Sequence, residues 1–257
     1  MPEHTSFLTH LILSHMRETL SRNAEALGET FVGHHPSSWH SFEPIATSLM
    51  IALILVAVGA LVRSRLVQAD SAVVPDESLT LRTFVEVFLD YFYTLAKDVM
   101  DAKRAKKYFP LIGTSACFVF CANVMALLPG FPIATTSLNV TLGSALVVFI
   151  LFNLYGLKEN GLSYIKHMAG PVWYLAPLIF PIELISLFVR PITLALRLML
   201  NMSVDHLLLG LFMGFLTVLL PLPVMVLGCI VVLVQTLVFT LLTCIYIGLA
   251  TEHEEHH

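Results

Sequence analysis

The sequence predicts an all-α integral membrane protein, on three observations. Of the 257 residues, 57% are hydrophobic and only 12% are charged, whereas a soluble domain averages roughly 25% charged residues. Apolar runs long enough to cross a bilayer recur along the chain, with basic residues clustered between them. From His167 to Thr251 the chain is almost wholly apolar. The excess of apolar surface must therefore face lipid.

The first span follows a polar N-terminal segment. Residues 1–44 are predicted to lie outside the membrane, and residues 45–65 to form the first transmembrane helix. The apolar part of that helix, Ile45–Val62, is about as long as a single crossing requires. Arg63 and Arg65 follow it at once.

A surface helix comes next, within a predicted cytoplasmic segment at residues 66–107. Large apolar side chains recur at helical spacing between Glu77 and Lys107, and charges fill the other face, which is typical of an amphipathic helix lying on the membrane. The basic stretch Asp101–Lys107 is assigned to the end of this helix. The alternative is a soluble helix packed on a partner.

Residues 108–170 are predicted to form a transmembrane hairpin and a basic loop. Its helices are Tyr108–Leu128 and about Thr141 to Leu157, joined by the uncharged turn Pro129–Thr136. Lys158 and Lys166 follow the second helix.

Residues 171–251 are predicted to form two long helices, followed by a polar tail at 252–257. The apolar stretches are Trp173–Leu220 and Pro223–Ala250. The first is too long for one perpendicular span, which needs about 20 residues. Two spans or one strongly tilted helix both fit this length.

The basic residues set the orientation. Residues 63–107 hold eight of the 14 Lys and Arg residues, and Lys158 and Lys166 lie on the same side. The positive-inside rule makes that side cytoplasmic. Without an evident transit peptide, we expect a bacterial inner membrane. The net charge of −4 gives no indication of nucleic-acid binding.

Arg197 is the most informative residue. A guanidinium at the centre of a membrane helix costs about 2.5–3.5 kcal/mol on insertion scales, and it cannot be neutralised by losing its proton. No acid lies three or four residues from Arg197, so we expect its partner to belong to another chain.

Further polar residues accompany this arginine. Glu183, Arg190 and Arg197 are seven residues apart, so a continuous helix places them on one stripe. The polar residues of the last two helices together supply acid, base, amide and imidazole groups but no nucleophile motif, metal-ligand cluster or cofactor motif. This set suits proton movement better than covalent chemistry. The candidate site residues are Glu183, Arg190, Arg197, Asn201, Asp205, His206 and Gln235.

Structural interpretations of the same residues stay open. Glu183 and Arg190 would form an intrahelical ion pair. Asn201 and Gln235 would be ordinary interhelical hydrogen-bond partners, typically worth about 0.6 kcal/mol. His206 would be a core histidine with one backbone partner, and the aspartate before it would sit in water at a helix bend.

The run Arg190–Leu209 (RPITLALRLMLNMSVDHLLL) resembles the signature of subunit a of the F-type ATP synthase, the stator half of its ion channel. Asn123–Gly130 (NVMALLPG) and Ala134–Leu142 (ATTSLNVTL) are similar to the family's hairpin segment. Val232–His256 is similar to its C-terminal helix and tail.

The resemblance implies roles for these residues. Arg197 would meet carboxylates on the c-subunit rotor ring, and Asn201, His206 and Gln235 would line two aqueous half-channels. Glu183 would lie on the proton path. The last two helices would be steeply tilted around the ring, with the b-subunit peripheral stalk and membrane lipid as other partners. No cofactor is implied, and catalysis would belong to other subunits.

This sequence departs from the family pattern at several positions. The family usually has Gly where Leu200 stands, small residues before the His/Glu site where Val204 and Asp205 stand, and often a polar residue where Gly228 stands. Asp205 would relay protons or pair with His206. Two family acids of the hairpin are replaced, by Ala126 and Ser137.

Two other function classes compete. A self-contained secondary transporter usually shows internal repeats, and the two halves of this chain show no convincing similarity. An intramembrane enzyme would need a nucleophile or metal motif, which the sequence lacks.

Overall fold

The computed structural model describes residues 43–68, 80–127, 135, 137–161, 176–215 and 221–251. The described residues form helices and no strand, which confirms the all-α fold class. The helices are α1 Glu43–Gln68, α2 Leu81–Val99, α3 Ala102–Leu127, α4 Leu138–Asn160, α5 Ala176–Phe215 and α6 Pro221–Ala250. All but α2 are long and apolar enough to cross a membrane. Nearly all of the N-terminal segment, most of the hairpin turn, Lys166 and the polar tail lie outside the described residues.

The end of α2 differs from the sequence prediction. Met100 adopts extended backbone and ends the helix, and the next helix begins at Ala102. The stretch Asp101–Lys107 therefore opens α3: Ala105 N–H donates to the Asp101 carbonyl at 2.8 Å, and the Arg104 guanidinium donates to its carboxylate at 2.8 Å. Its assignment to the amphipathic helix was wrong because neither Pro nor Gly marks the break at Met100.

Helix α2 has two apolar faces, one buried against the protein and one exposed. Phe92 and Ala96 are buried where α2 packs on α3 and α6. Phe84, Val87 and Tyr91 form a second apolar face that is 54–65% exposed. Contact with lipid at the membrane surface would cover such a face, so the pattern favours the surface-helix interpretation.

The core lies among α3, α4, α5 and α6. Helix α6 packs on α3, α4 and α5, the hairpin helix α4 packs on α5, and α1 packs on the hairpin from outside. The hydroxyls of Thr236, Thr240 and Thr243 are buried in α6, and each donates to the carbonyl four residues earlier at 2.8–2.9 Å. This satisfies their hydrogen-bonding needs within one helix, as an apolar surrounding requires. The core includes Ile112, Phe152, Leu194, Leu198 and Phe239.

Helix α5 shows how the first long apolar stretch, Trp173–Leu220, is folded over its described residues. It runs unbroken for 40 residues through Pro181 and Pro191, so the stretch is one helix and not two spans. Forty residues at 1.5 Å each make about 60 Å, twice the roughly 30 Å of a bilayer's hydrocarbon core. A helix of this length lies wholly within hydrocarbon only when its axis is tilted by about 60° from the membrane normal.

A polar cluster ties together one end of the bundle. Glu159 at the end of α4 accepts hydrogen bonds from Lys107 Nζ at 2.5 Å and from the Tyr108 hydroxyl at 2.8 Å. The adjacent Asn160 amide donates to the Ala250 carbonyl of α6 at 3.2 Å. The ends of three helices are thereby joined at a fixed distance from one another.

Tyr108→Phe is expected to lower the free energy of unfolding by about 1–2 kcal/mol, because a buried hydroxyl bonded to a carboxylate is lost. Thermal unfolding of the detergent-solubilised chain, followed by circular dichroism, measures the effect. Tyr91→Phe is the matched control, since Tyr91 is 54% exposed. Equal unfolding temperatures for the two variants would show that the cluster adds no stability.

Candidate functional site

Glu183 and Arg190 form the first polar group along α5. The Arg190 guanidinium lies 3.6 Å from the Glu183 carboxylate, two helical turns away, so the ion pair weighed from the sequence is present. On the other side, Arg190 Cζ lies 5.4 Å from the ring centroid of Tyr246 on α6. This distance is within the range of a cation–π interaction. Arg190 is thus held by one acid and one aromatic ring.

Asn201 and Gln235 form the second group. The Asn201 amide donates to Gln235 Oε1 at 2.7 Å, joining α5 to α6. Gln235 is only 2% exposed, and its Nε2 has no partner within the described residues. Eleven residues separate Arg190 from Asn201, and eleven separate Gln235 from Tyr246. The two antiparallel helices therefore stay in register over about three turns.

Arg197 lies between these groups and is held by neither. It is exposed, and it forms no ion pair with any other described residue. By the rise of a helix it stands about 6 Å from Asn201 and about 10 Å from Arg190 along the axis. Its exposed neighbours on α5 are mostly apolar, namely Ile192, Leu196, Leu200 and Val204, and Thr193 is a polar exception. The Arg197 side chain therefore lies outside the packed contact between α5 and α6.

Asp205 and His206 lie farther along the same helix. Both are half-buried, and α5 continues past them to Phe215, so Asp205 lies inside the helix and not at its end. The His206 imidazole faces the backbone oxygen of Ala126 on α3. Asp205 Oδ2 is buried and has no partner within the described residues. Both residues line a cavity of about 20 Å³, which is enough for roughly one water.

Asn123 on α3 is a site candidate that the sequence reasoning missed. It is fully buried, and neither its amide nitrogen nor its amide oxygen has a partner within the described residues. Buried polar atoms are nearly always hydrogen-bonded, to ordered water if not to protein. The available signal was an amide side chain within the apolar second half of α3, inside the NVMALLPG segment.

The structure thus divides the seven sequence candidates into four sets on α5 and α6. Two polar groups contact α6, an acid and an imidazole meet the end of α3, and Arg197, which has no ion pair among the described residues, lies between the first two groups. No group of three potential metal ligands lies close together in the part of the chain that the structure describes. Chemically, the arrangement provides sites where water and protons can bind on either side of a fixed positive charge.

Comparison with known proteins places the chain in a family. The sequence profile of the family described as "ATP synthase A chain" matches residues 45–248. An "ATP synthase subunit a" from Sorangium cellulosum is 55% identical over 259 residues, covering 100% of both chains. An "ATP synthase subunit a 1" from Syntrophotalea carbinolica is 39% identical over 246 residues, covering 96% of each. The chain belongs to the ATP synthase A chain family, as the motif around Arg197 indicated.

Proposed function

We propose that this chain is the stator subunit of a rotary ATP synthase and passes protons to and from carboxylates on a rotor c-ring through two aqueous half-channels. The main support is the position of Arg197, a cation without an ion pair among the described residues, which lies on the exposed face of α5 between two polar groups that contact α6. A cation in apolar surroundings requires a counter-charge, and the open face directs it towards another chain.

Arg197 would act as both barrier and partner. A fixed positive charge between two half-channels repels protons and prevents direct leakage from one to the other. The same charge favours the ionised form of a rotor carboxylate as it arrives, so the carboxyl releases its proton there. The carboxylate must be protonated again before it returns to lipid, because a bare charge is costly in that medium.

The polar groups on either side of Arg197 would line the half-channels. Asn201, Gln235 and His206, together with the buried Asn123, would hold water on the outer side. Glu183 with Arg190 would lie on the cytoplasmic side, where the partly exposed carboxylate can exchange protons with water. Each proton that crosses would yield about 2.3 kcal/mol per 100 mV of membrane potential.

The remaining apolar surface would contact other partners. The outer face of α1 is largely exposed, with Leu49, Leu53 and Val56 each more than 60% exposed. The b-subunit peripheral stalk and membrane lipid would cover it. The chain would work as a multi-pass, non-catalytic subunit in a bacterial inner membrane.

Copurification tests the proposal. The affinity-tagged chain, extracted in mild detergent, is expected to bring with it a ring of small two-helix subunits, whereas a secondary transporter would purify without one. Leu200→Trp is expected to reduce ring retention several-fold, because Leu200 is 51% exposed beside Arg197. Ile150→Trp, at a 53% exposed position on α4, is the matched control. Recovery of the chain with no ring at all would refute the proposal.

A further inference from the structure

The small cavity beyond Asn201 has an unusual lining for its size. It lies where α5 meets the end of α3 and the start of α6, and its wall is otherwise apolar, with Met202, Leu209 and Met225 among its residues. The Asp205 carboxylate and the His206 imidazole also line this space. The Oδ2 atom of Asp205 is buried and has no hydrogen-bond partner among the described residues. A buried carboxylate oxygen needs a hydrogen-bond donor.

Gly228 forms the opposite wall of this cavity. A Cβ built on Gly228 would lie 2.9 Å from Leu127 Cδ1, closer than carbon atoms approach in proteins. Any larger residue would therefore displace Leu127, which lines the same cavity. Gly228 thus allows the Leu127 side chain its present position beside a space of about 20 Å³, which has room for roughly one water.

We propose that this cavity holds one water between Asp205 and His206, and that the Asp205 carboxylate accepts the proton that enters the outer half-channel. This inference rests on the proposed function of the chain. A hydrated proton in the cavity gives its proton to Oδ2 of Asp205, which forms an O–H bond and leaves a neutral water behind. The carboxyl group then releases that proton to water on the Asn201 side and becomes a carboxylate again.

The lining of the cavity favours water over a metal cation. Hard cations take six or more oxygen ligands when they are held by protein. The cavity wall supplies one carboxylate and, next to His206, the Ala126 carbonyl. A water needs only two to four polar partners, which this set provides.

ATP-driven proton uptake into vesicles that contain the whole complex tests the role of Asp205. Asp205→Asn is expected to lower the uptake rate roughly tenfold or more, the scale of losing one acid–base group. Asp205→Glu is expected to retain more of the rate than Asp205→Asn, because the carboxylate is kept although the longer side chain takes up space in the cavity. Asp90→Asn, on the exposed face of α2, is the control for loss of one acid. Wild-type uptake by Asp205→Asn would overturn the proposal.

A second pair of variants tests the water directly and remains informative if Asp205→Asn fails to assemble. Gly228→Ala is expected to push Leu127 into the cavity and lower uptake several-fold. Gly210→Ala on α5 is the matched control, since a Cβ there meets no atom within 4 Å. Equal uptake by the two alanine variants would overturn the water site.

Arg197→Ala in the same vesicles distinguishes a failure of the Asp205 relay from a failure of the proposed stator function. If Arg197→Ala abolishes uptake while Asp205→Asn and Gly228→Ala leave it at the wild-type rate, the Asp205 relay is wrong and the proposed stator function stands. If Arg197→Ala also pumps normally, the proposed function itself fails.

Discussion

Arg197→Ala is expected to abolish ATP-driven proton pumping and to open a passive proton leak. The variant removes the charge that separates the two half-channels and that would face the rotor carboxylate. Arg197 is exposed and forms no ion pair with another described residue. Removing its side chain therefore deprives no acid among the described residues of a partner. Assembly should therefore be retained. Pumping and leakage are both measured with a pH-sensitive dye in vesicles that contain the complex.

Arg197→Lys tests the chemistry of the charge. Lysine loses its proton readily when it is buried, whereas arginine keeps it, and lysine lacks the fork that binds a carboxylate with two hydrogen bonds. We expect this variant to retain little or no coupled pumping. Arg63→Ala, which removes an exposed arginine at the end of α1, should pump at the wild-type rate. Normal coupled pumping by either Arg197 variant would contradict the proposed function.

The double variant Asn201→Leu with Gln235→Leu is expected to assemble normally and to lose most of its proton transport. Either single variant leaves a buried amide without its partner, which costs about 1–3 kcal/mol of stability. The double variant replaces both partners with apolar groups and should recover much of that loss. Water on the outer side of Arg197 would nevertheless lose the two amide groups that lie nearest to the arginine in the proposed path, and we expect transport to fall several-fold.

This comparison separates a channel lining from a simple interhelical contact. Stability is measured by thermal unfolding of all three variants in detergent, and transport by proton uptake into vesicles. If Asn201 and Gln235 only join α5 to α6, the double variant should regain transport together with stability. A double variant with near wild-type uptake would thus remove these two residues from the proton path.

Much of the fold could be predicted because lipid imposes a simple rule on the chain. Backbone polar groups in a bilayer must be satisfied within the segment, so an apolar run of sufficient length becomes a helix whatever its neighbours are. The first span, the hairpin helices and α6 follow from this rule. The boundary at Met100 did not follow, because charged residues continue through it and neither Pro nor Gly marks it; it is visible only in the extended backbone of Met100, where α2 and α3 both pack on α6.

The site could be predicted in part, for a different reason. Helical periodicity places Glu183, Arg190, Arg197 and Asn201 on one stripe as soon as α5 is continuous, so their alignment required no knowledge of the other helices. Periodicity also relates Gln235 to Tyr246 on α6. It carries no information about which stripe faces which, and the contacts of Asn201 with Gln235 and of Arg190 with Tyr246 are visible only in the packed bundle.

The sequence alone determined that this chain belongs in a membrane, that its last helices hold a costly arginine, and which polar residues share a face with it. These properties depend on composition and on the period of a helix, which are local. Only the tertiary structure decided that Arg190 is paired with Glu183 while Arg197 has no ion pair among the described residues, that the amide of Asn123 is buried without a partner in the same part of the chain, and that Asp205 and Gly228 border one small cavity. These distinctions depend on how α3, α5 and α6 pack, and packing depends on residues that are far apart in the chain.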